Sequence, residues 1–383
     1  METVSVIALT AALVPLCGIL AAITPFLMPR GECFAVTIPA AQHGHPVLRS
    51  YRKGYALRCL VFAAACTTAC GVVAEAKHIG APDADLAGYL ISYTALVGLV
   101  VVVPFVWMLS YRKKVMRLKA EEGWSARADR KAAVVSEEDV PGPVSLVWNL
   151  LYVPVLLLIV AVGVVLYPSM PDMIPMHADS AGNVDAYAPK GVLTVFGFPV
   201  GLTVLLAVCM VCSQWVMRRS KRPVSPGAPA VSALAYGLFA RAQSIFLLIC
   251  GLILSAVIGV GFMLSSGGVI TLGQMAVAVI VACAPIVIGS IALSVVYGQS
   301  GARLQMRLAA EGGQDDCLAC DDDRHWKLGV FYWNPDDPAL WLPERFGIGW
   351  TMNMARPAAW ACVAGFALFV ALSVALLTGI AGQ

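Results

Sequence analysis

One histidine, His177, stands among three carboxylates, Asp172, Asp179 and Asp185, in the stretch from Tyr167 to Lys190. An imidazole beside carboxylates can ligate a divalent metal or move a proton. The spacing here matches no HExxH-type metal helix, so catalysis is the least favoured reading. Equally, His177 can hydrogen-bond a neighbouring Asp and hold its loop shut. A second arrangement is Cys317-Leu-Ala-Cys320 with His325 following. It supplies three soft ligands where a closed zinc site needs four, and reads as reduced thiols. Most of the other cysteines fall in apolar stretches, where Cys packs as a small hydrophobe. No catalytic residue, metal ligand set or cofactor is assigned.

The elements that must position these residues follow from composition. The chain has 383 residues, 59% hydrophobic and 13% charged, with a net charge of +3 and a mean hydropathy of +0.79. Soluble domains carry about 25% charged residues, so this composition points to the bilayer and gives no reason to expect nucleic acid. A helix needs about 20 apolar residues to cross the hydrocarbon core. Eight stretches qualify, at 4–27, 57–75, 86–110, 147–166, 192–217, 238–264, 269–297 and 358–379. Strands would leave backbone groups unpaired in lipid, so the expected fold is an all-α polytopic transmembrane helix bundle of about eight spans. Pro15, Pro104, Pro154, Pro199 and Pro285 fall within these stretches as kinks.

Lys and Arg concentrate in cytoplasmic loops. With the N-terminus outside, every one of the 26 cations except Lys77 and Lys190 falls on the cytoplasmic side. Both termini are therefore expected to be extracytoplasmic. The start Met1-Glu2-Thr3 has no basic n-region, which suits a first span better than a cleaved signal. Five regions result. Residues 1–146 hold three spans with basic inner loops, and 147–217 form a span, outer loop and span. Residues 218–297 hold spans six and seven, 298–357 a long inner loop, and 358–383 the last span. The run YRKKVMRLK after residue 110 reads as a positive-inside anchor followed by a solvated linker, with specific anionic-lipid binding as the sharper alternative. SKRPVSPGAP reads as a flexible connector.

The outer loop carries Pro168, Pro171 and Pro175, which should hold its first half extended, and Asp179, Gly182 and Asn183, which favour turns. A compact hairpin-like loop is expected. Its string PDMIPMHADSAGNVDAYAPK resembles the extracytoplasmic motif of the membrane family that includes the SdpI-type immunity proteins, roughly LPxxIPxHxxxxGxxDxYxxK. Pro171, Ile174, Pro175, His177, Gly182, Asp185, Tyr187 and Lys190 fall in register. Met170 stands where Leu is usual, and Ala178 where an aromatic residue often follows the His. The resemblance implies a binding motif made of Pro171, Asp172, Pro175, His177, Asp179, Gly182, Asp185, Tyr187 and Lys190 that meets an extracellular peptide.

The last inner loop, HWKLGVFYWNPDDPALWLPERFGIGWTMNMARP, is similar to a small domain of unknown function found in the same multi-span proteins. Residues 28–56 resemble the first inner loop of those proteins. Trp326, Tyr332, Asn334, Asp337, Arg345, Trp350 and Asn353 are the candidate docking motif for a cytoplasmic protein partner. The plainer reading of the same residues is a structural plug whose aromatic rings lie at the membrane interface. On function, immunity or signal reception towards a peptide toxin is the leading expectation, in a bacterial plasma membrane. The alternative is a transporter or exporter of an apolar substrate. Ion coupling is disfavoured because the spans offer only Gln214, Gln243, Gln274, Asn149 and scattered hydroxyls.

Overall fold

The computed structural model describes residues 2–79, 81, 84–124, 140–178, 184–222, 228–309, 322–347 and 349–381. Among these residues the fold is a bundle of long helices with four small two-stranded hairpins in the loops. Helices α1 (Glu2–Leu27), α2 (Pro46–Ala76) and α3 (Leu86–Glu121) pack on one another. Helices α4 (Tyr152–Leu166), α5 (Val192–Arg219), α6 (Pro229–Ser266) and α7 (Leu272–Tyr297) form a second packed group. A short helix α8 (Ala302–Ala309) lies against α6, and α9 (Pro357–Ala381) ends the described chain. Among the described residues, six helical segments are long and apolar enough to cross a membrane, within Pro46–Ala76, Ala87–Glu121, Leu146–Ser169, Val192–Arg219, Pro229–Ser266 and Leu272–Leu308. α1 and α9 are also helical throughout their expected spans, at 26 and 25 residues.

The helices outrun the apolar stretches. α2 begins at Pro46 rather than 57, α3 continues to Glu121 rather than 110, and α6 begins at Pro229 rather than 238. The reason is that leaving the hydrocarbon does not end a helix; a lost propensity or a cap does. The basic run after residue 110 is rich in good helix formers, and α2 opens on a proline, whose fixed φ suits a first turn. Span four differs too. Residues Leu146–Leu151 form a 3-10 turn, and Pro154 falls in the first α-helical turn, where its missing N–H is no loss. Pro15, Pro104, Pro199 and Pro285 lie inside helices as expected.

Polar span residues serve the bundle itself. Asn149 Nδ2 donates to Gln214 Oε1 at 2.7 Å, and Gln214 Nε2 reaches the Ser244 carbonyl at 3.5 Å. Ser244 Oγ in turn accepts from the Val144 N–H at 3.0 Å. Gln274 closes a capping box with Thr271 at the start of α7. Close approach completes the packing. At Gly237 on α6 an added Cβ would fall on the Pro141 carbonyl oxygen, which belongs to backbone and cannot rotate away. Gly237→Ala should therefore overpack this joint and cost about 1–3 kcal/mol. A thermal-unfolding scan in detergent should show a lowered Tm; an unchanged Tm would mean that the joint is loose.

Candidate functional site

The outer loop folds as an antiparallel hairpin of β3 (Met173–Ala178) and β4 (Val184–Pro189), with its tip outside the described residues. Asp179 and Gly182, both in the candidate motif, lie in that tip. Pro175 suits the extended strand, but Pro168 sits at the start of a 3-10 turn, Tyr167–Ser169, instead of holding an extended segment. Its fixed φ is compatible with either conformation. Ile174 is the anchor: it is fully buried among Ile159, Met170, Val195, Phe262 and Met263. Lys190 closes the base of the hairpin. Its N–H donates to the Asp172 carbonyl at 2.7 Å, its Nζ donates to the Met170 carbonyl at 2.9 Å, and the ammonium lies 4.8 Å from the Tyr167 ring centroid.

Two register shifts interrupt the hairpin around His177. His177 pairs with Ala186 while Ala178 pairs with Val184, so Asp185 has no direct partner in the register. Such irregularities re-aim side chains. Here the result is a His177 Nδ1 to Asp185 Oδ1 contact of 2.6 Å, with both side chains exposed. The geometry is that of a strut between the two strands. Met173, Met176 and Tyr187 are exposed beside it. The hairpin thus presents apolar and titratable groups together on a base fixed by Ile174. Pro171 and Asp172 are exposed at the start of the hairpin.

The inner loop is built differently. Strands β5 (Trp326–Lys327) and β6 (Phe331–Tyr332), then β7 (Trp341–Pro343) and β8 (Trp350–Met352), form two small hairpins. Of the seven candidate docking residues, Trp326, Tyr332, Asp337, Arg345 and Asn353 are buried. Asn353 Nδ2 donates to the Asn334 and Asp337 carbonyls at 2.7 and 3.1 Å, while its Oδ1 accepts from the Asn334 N–H at 3.1 Å. Asn334 Nδ2 donates to the Tyr332 hydroxyl at 3.1 Å, and that hydroxyl donates to Asp337 Oδ2 at 3.0 Å. Asp337 also pairs with Lys221, at the end of α5, at 2.6 Å. Burial opposes the Asp337 charge, but Lys221, the Ala339 N–H and Tyr332 together hold its carboxyl below the usual range. The Trp350 ring stacks on Phe239 of α6 at 6.1 Å.

Arg345 fastens this module to the first helix group. Its guanidinium meets Asp322, Asp323 and Glu32, donates to Thr37 Oγ1 at 3.0 Å, and lies 5.1 Å from the Trp326 ring centroid. Thr37 N–H and hydroxyl both donate to Asp323 Oδ1 at 2.9 Å, and Lys119 on α3 pairs with Asp323 at 2.7 Å. Arg112, also buried on α3, donates to the Ala35 carbonyl and to the Trp326 carbonyl. Glu32 and Thr37 belong to a hairpin of β1 (Glu32–Cys33) and β2 (Val36–Thr37), whose turn residues Phe34 and Ala35 both have positive φ. That turn is costly for residues with a Cβ. It persists because Phe34 is fully buried against Tyr111, with ring centroids 5.1 Å apart, and because the Ala35 carbonyl takes the Arg112 guanidinium. Gly329, at φ +77°, packs directly over Ala35 and Arg112, where a side chain would collide.

Glu32, Thr37, Arg112, Lys119, Asp322 and Asp323 were not among the candidate site residues. Arg112 and Lys119 lie in the basic run read as a simple positive-inside anchor; both are consumed by internal bonds. The available signal was the acidic run ending at Asp323 immediately before the Trp326 motif, opposite that basic run in charge. Cys317 and Cys320 lie outside the described residues, and His325 Nδ1 instead approaches the Trp333 carbonyl at 3.2 Å. Among the described residues, no group of three or more His, Cys, Asp or Glu is disposed to hold a metal ion.

Residues 155–203, spanning α4, the outer hairpin and the first part of α5, match a domain of unknown function (DUF1648). Residues 335–360, the second half of the inner module, match a family of unknown function (DUF5808). Both are typical of membrane proteins. Neither the curated proteins nor the solved structures contain a match.

The cluster is pH-sensitive with a definite sign. Burial, reinforced by Asp322 and Asp323 and opposed by Arg345 and Arg112, pushes Glu32 up from 4.5 to about 7. A raised acid favours its neutral form in the folded state. Its stabilising contribution is complete below about pH 4.5 and disappears as the pH rises through 7. Asp323 shifts the other way: burial opposes its charge, yet Arg345, Lys119 and the Thr37 N–H hold it low, so its contribution is lost on acidification. Glu32→Gln should flatten the loss of stability between pH 5 and 8 in pH-dependent unfolding. Arg345→Gln, which strands buried carboxylates, should cost about 3–5 kcal/mol. If Glu32→Gln left the alkaline slope unchanged, Glu32 would not be the titrating group.

Proposed function

We propose that this chain is a bacterial plasma-membrane protein of eight spans with both termini outside. In this reading the outer hairpin receives an extracellular peptide, conferring immunity or sensing in the manner of the SdpI-type proteins whose motif it resembles. The observation that carries it is the hairpin face itself: Met173, Met176, His177, Asp185 and Tyr187 are exposed on a strand pair whose base is locked by buried Ile174. Exposed apolar groups interleaved with charge suit an amphipathic peptide better than a small ion. The inner module then anchors the two helix groups to each other. A cytoplasmic protein would meet it through the outward Phe331 and Trp333, because most of the docking candidates are turned inward.

The test is expression in a host sensitive to membrane-active peptides. Wild type should raise the inhibitory concentration of its cognate peptide several-fold. His177→Ala combined with Tyr187→Ala should return it to the vector level at equal membrane abundance. If wild type changes tolerance to none of a broad peptide panel, the proposed role is wrong. Sidedness is read separately. A cysteine replacing Asp185 should label with an impermeant thiol reagent in intact cells, and one replacing Asp336 only after lysis.

A further inference from the structure

The first two turns of α2 carry a surface groove that the outer-hairpin reading does not use. Its volume is about 470 Å³, and it is lined by Gly44, Arg49, Ser50, Lys53, Gly54 and Leu57 among others. Spacings of three and four residues put Arg49, Ser50, Lys53 and Leu57 on one helix face. The lining contains two cations and no carboxylate. Among the described residues neither Arg49 nor Lys53 has a side-chain hydrogen bond or ion pair within the chain. Arg52, the neighbouring cation, is by contrast buried and consumed, donating to the His43 ring and carbonyl. Two free cations over one concavity call for an anion.

Depth identifies which anion. α2 enters the hydrocarbon near Leu57, where the apolar stretch begins. With a rise of about 1.5 Å per residue, Lys53 stands about 6 Å and Arg49 about 12 Å above that boundary. The headgroup layer is roughly 5–7 Å thick on each side, and both side chains are long enough to reach back into it. Below the groove the same helix exposes Leu57, Leu60 and Val61, at 64%, 45% and 61% of their full areas. A soluble anion would have no use for this stripe; an acyl chain continues straight along it. We propose that the groove binds an anionic phospholipid, its phosphate held by Arg49 and Lys53 with Ser50 in reach, and its tail lying along Leu57 and Val61. Gly44, where a side chain would meet only open space, leaves the headgroup room at the mouth of the groove.

The purified full-length chain, delipidated in detergent, provides the test through its Tm. Phosphatidylglycerol should raise the Tm by several degrees more than phosphatidylcholine, because a ligand bound only to the folded state stabilises it. Arg49→Gln with Lys53→Gln should abolish that difference while leaving the Tm in phosphatidylcholine alone unchanged, since neither side chain holds the fold together. Arg307→Gln, on α8, should retain the full phosphatidylglycerol effect and controls for total charge. Inorganic phosphate should do nothing. Native mass spectrometry of wild type and the double variant reads the same site as the loss of one retained phosphatidylglycerol. An equal response to both lipids, a full response in the double variant, or reproduction of the shift by phosphate alone would each overturn the proposal.

Discussion

The structure depends on one constraint: Arg345 is nearly buried and must be surrounded by oxygen. A guanidinium removed from water is tolerated only when its donors are satisfied and its charge is balanced. Here the oxygens come from two places far apart in the chain: Asp322 and Asp323 beside the module, and Glu32 with Thr37 in the hairpin of β1 and β2. Lys119 and Arg112 of α3 complete the arrangement from beneath. A site of this kind cannot be half-formed, because each absent partner would strand a buried charge. It therefore fixes the register of three segments at once, and the positive-φ turn at Phe34–Ala35 is held in place by the same contacts.

This has a consequence for the bundle. The long helices pack extensively within two groups, and apolar side chains give helices in lipid little reason to prefer one group's surface over another's. Polar contacts are what can select an arrangement. On one flank the module meets the first group through Arg345, Arg112 and Lys119. On the other it meets the second through Lys221 with Asp337 and through Trp350 stacked on Phe239. The module is thus a clamp between the groups, and its polar core does what the membrane interior cannot. Asn149, Gln214 and Ser244 do the same work within the second group.

How much of this was legible in the sequence follows from the physics of each part. Helices in lipid are dictated by length and hydropathy, so the spans could be read directly. The outer hairpin was legible in kind, because Pro175 and the turn formers near the tip act locally. The His177–Asp185 contact required a register shift that no spacing rule announces. The clamp was not legible, because Glu32 and Arg345 are brought together by tertiary closure alone. Asp337 and Asn353 entered the docking motif through resemblance, and in the structure they bond within the chain: Asn353 to the Asn334 and Asp337 carbonyls, the Asp337 carboxylate to Lys221, Tyr332 and the Ala339 N–H.

The two faces of the protein differ for a physical reason that bears on what each can do. In the Arg345 cluster, charge is paired and buried, so it rigidifies; its titratable member, Glu32, is positioned by fixed partners rather than by a ligand. At the hairpin of β3 and β4, the anchoring is apolar, through Ile174, and the His177–Asp185 pair is exposed. An exposed pair contributes little to stability, because water screens it and would solvate either partner alone. His177 and Asp185 can therefore exchange their mutual contact for one with a bound molecule at small cost. Arg345 has no such freedom. The hairpin pair can thus be spared from the fold, whereas the Arg345 cluster cannot.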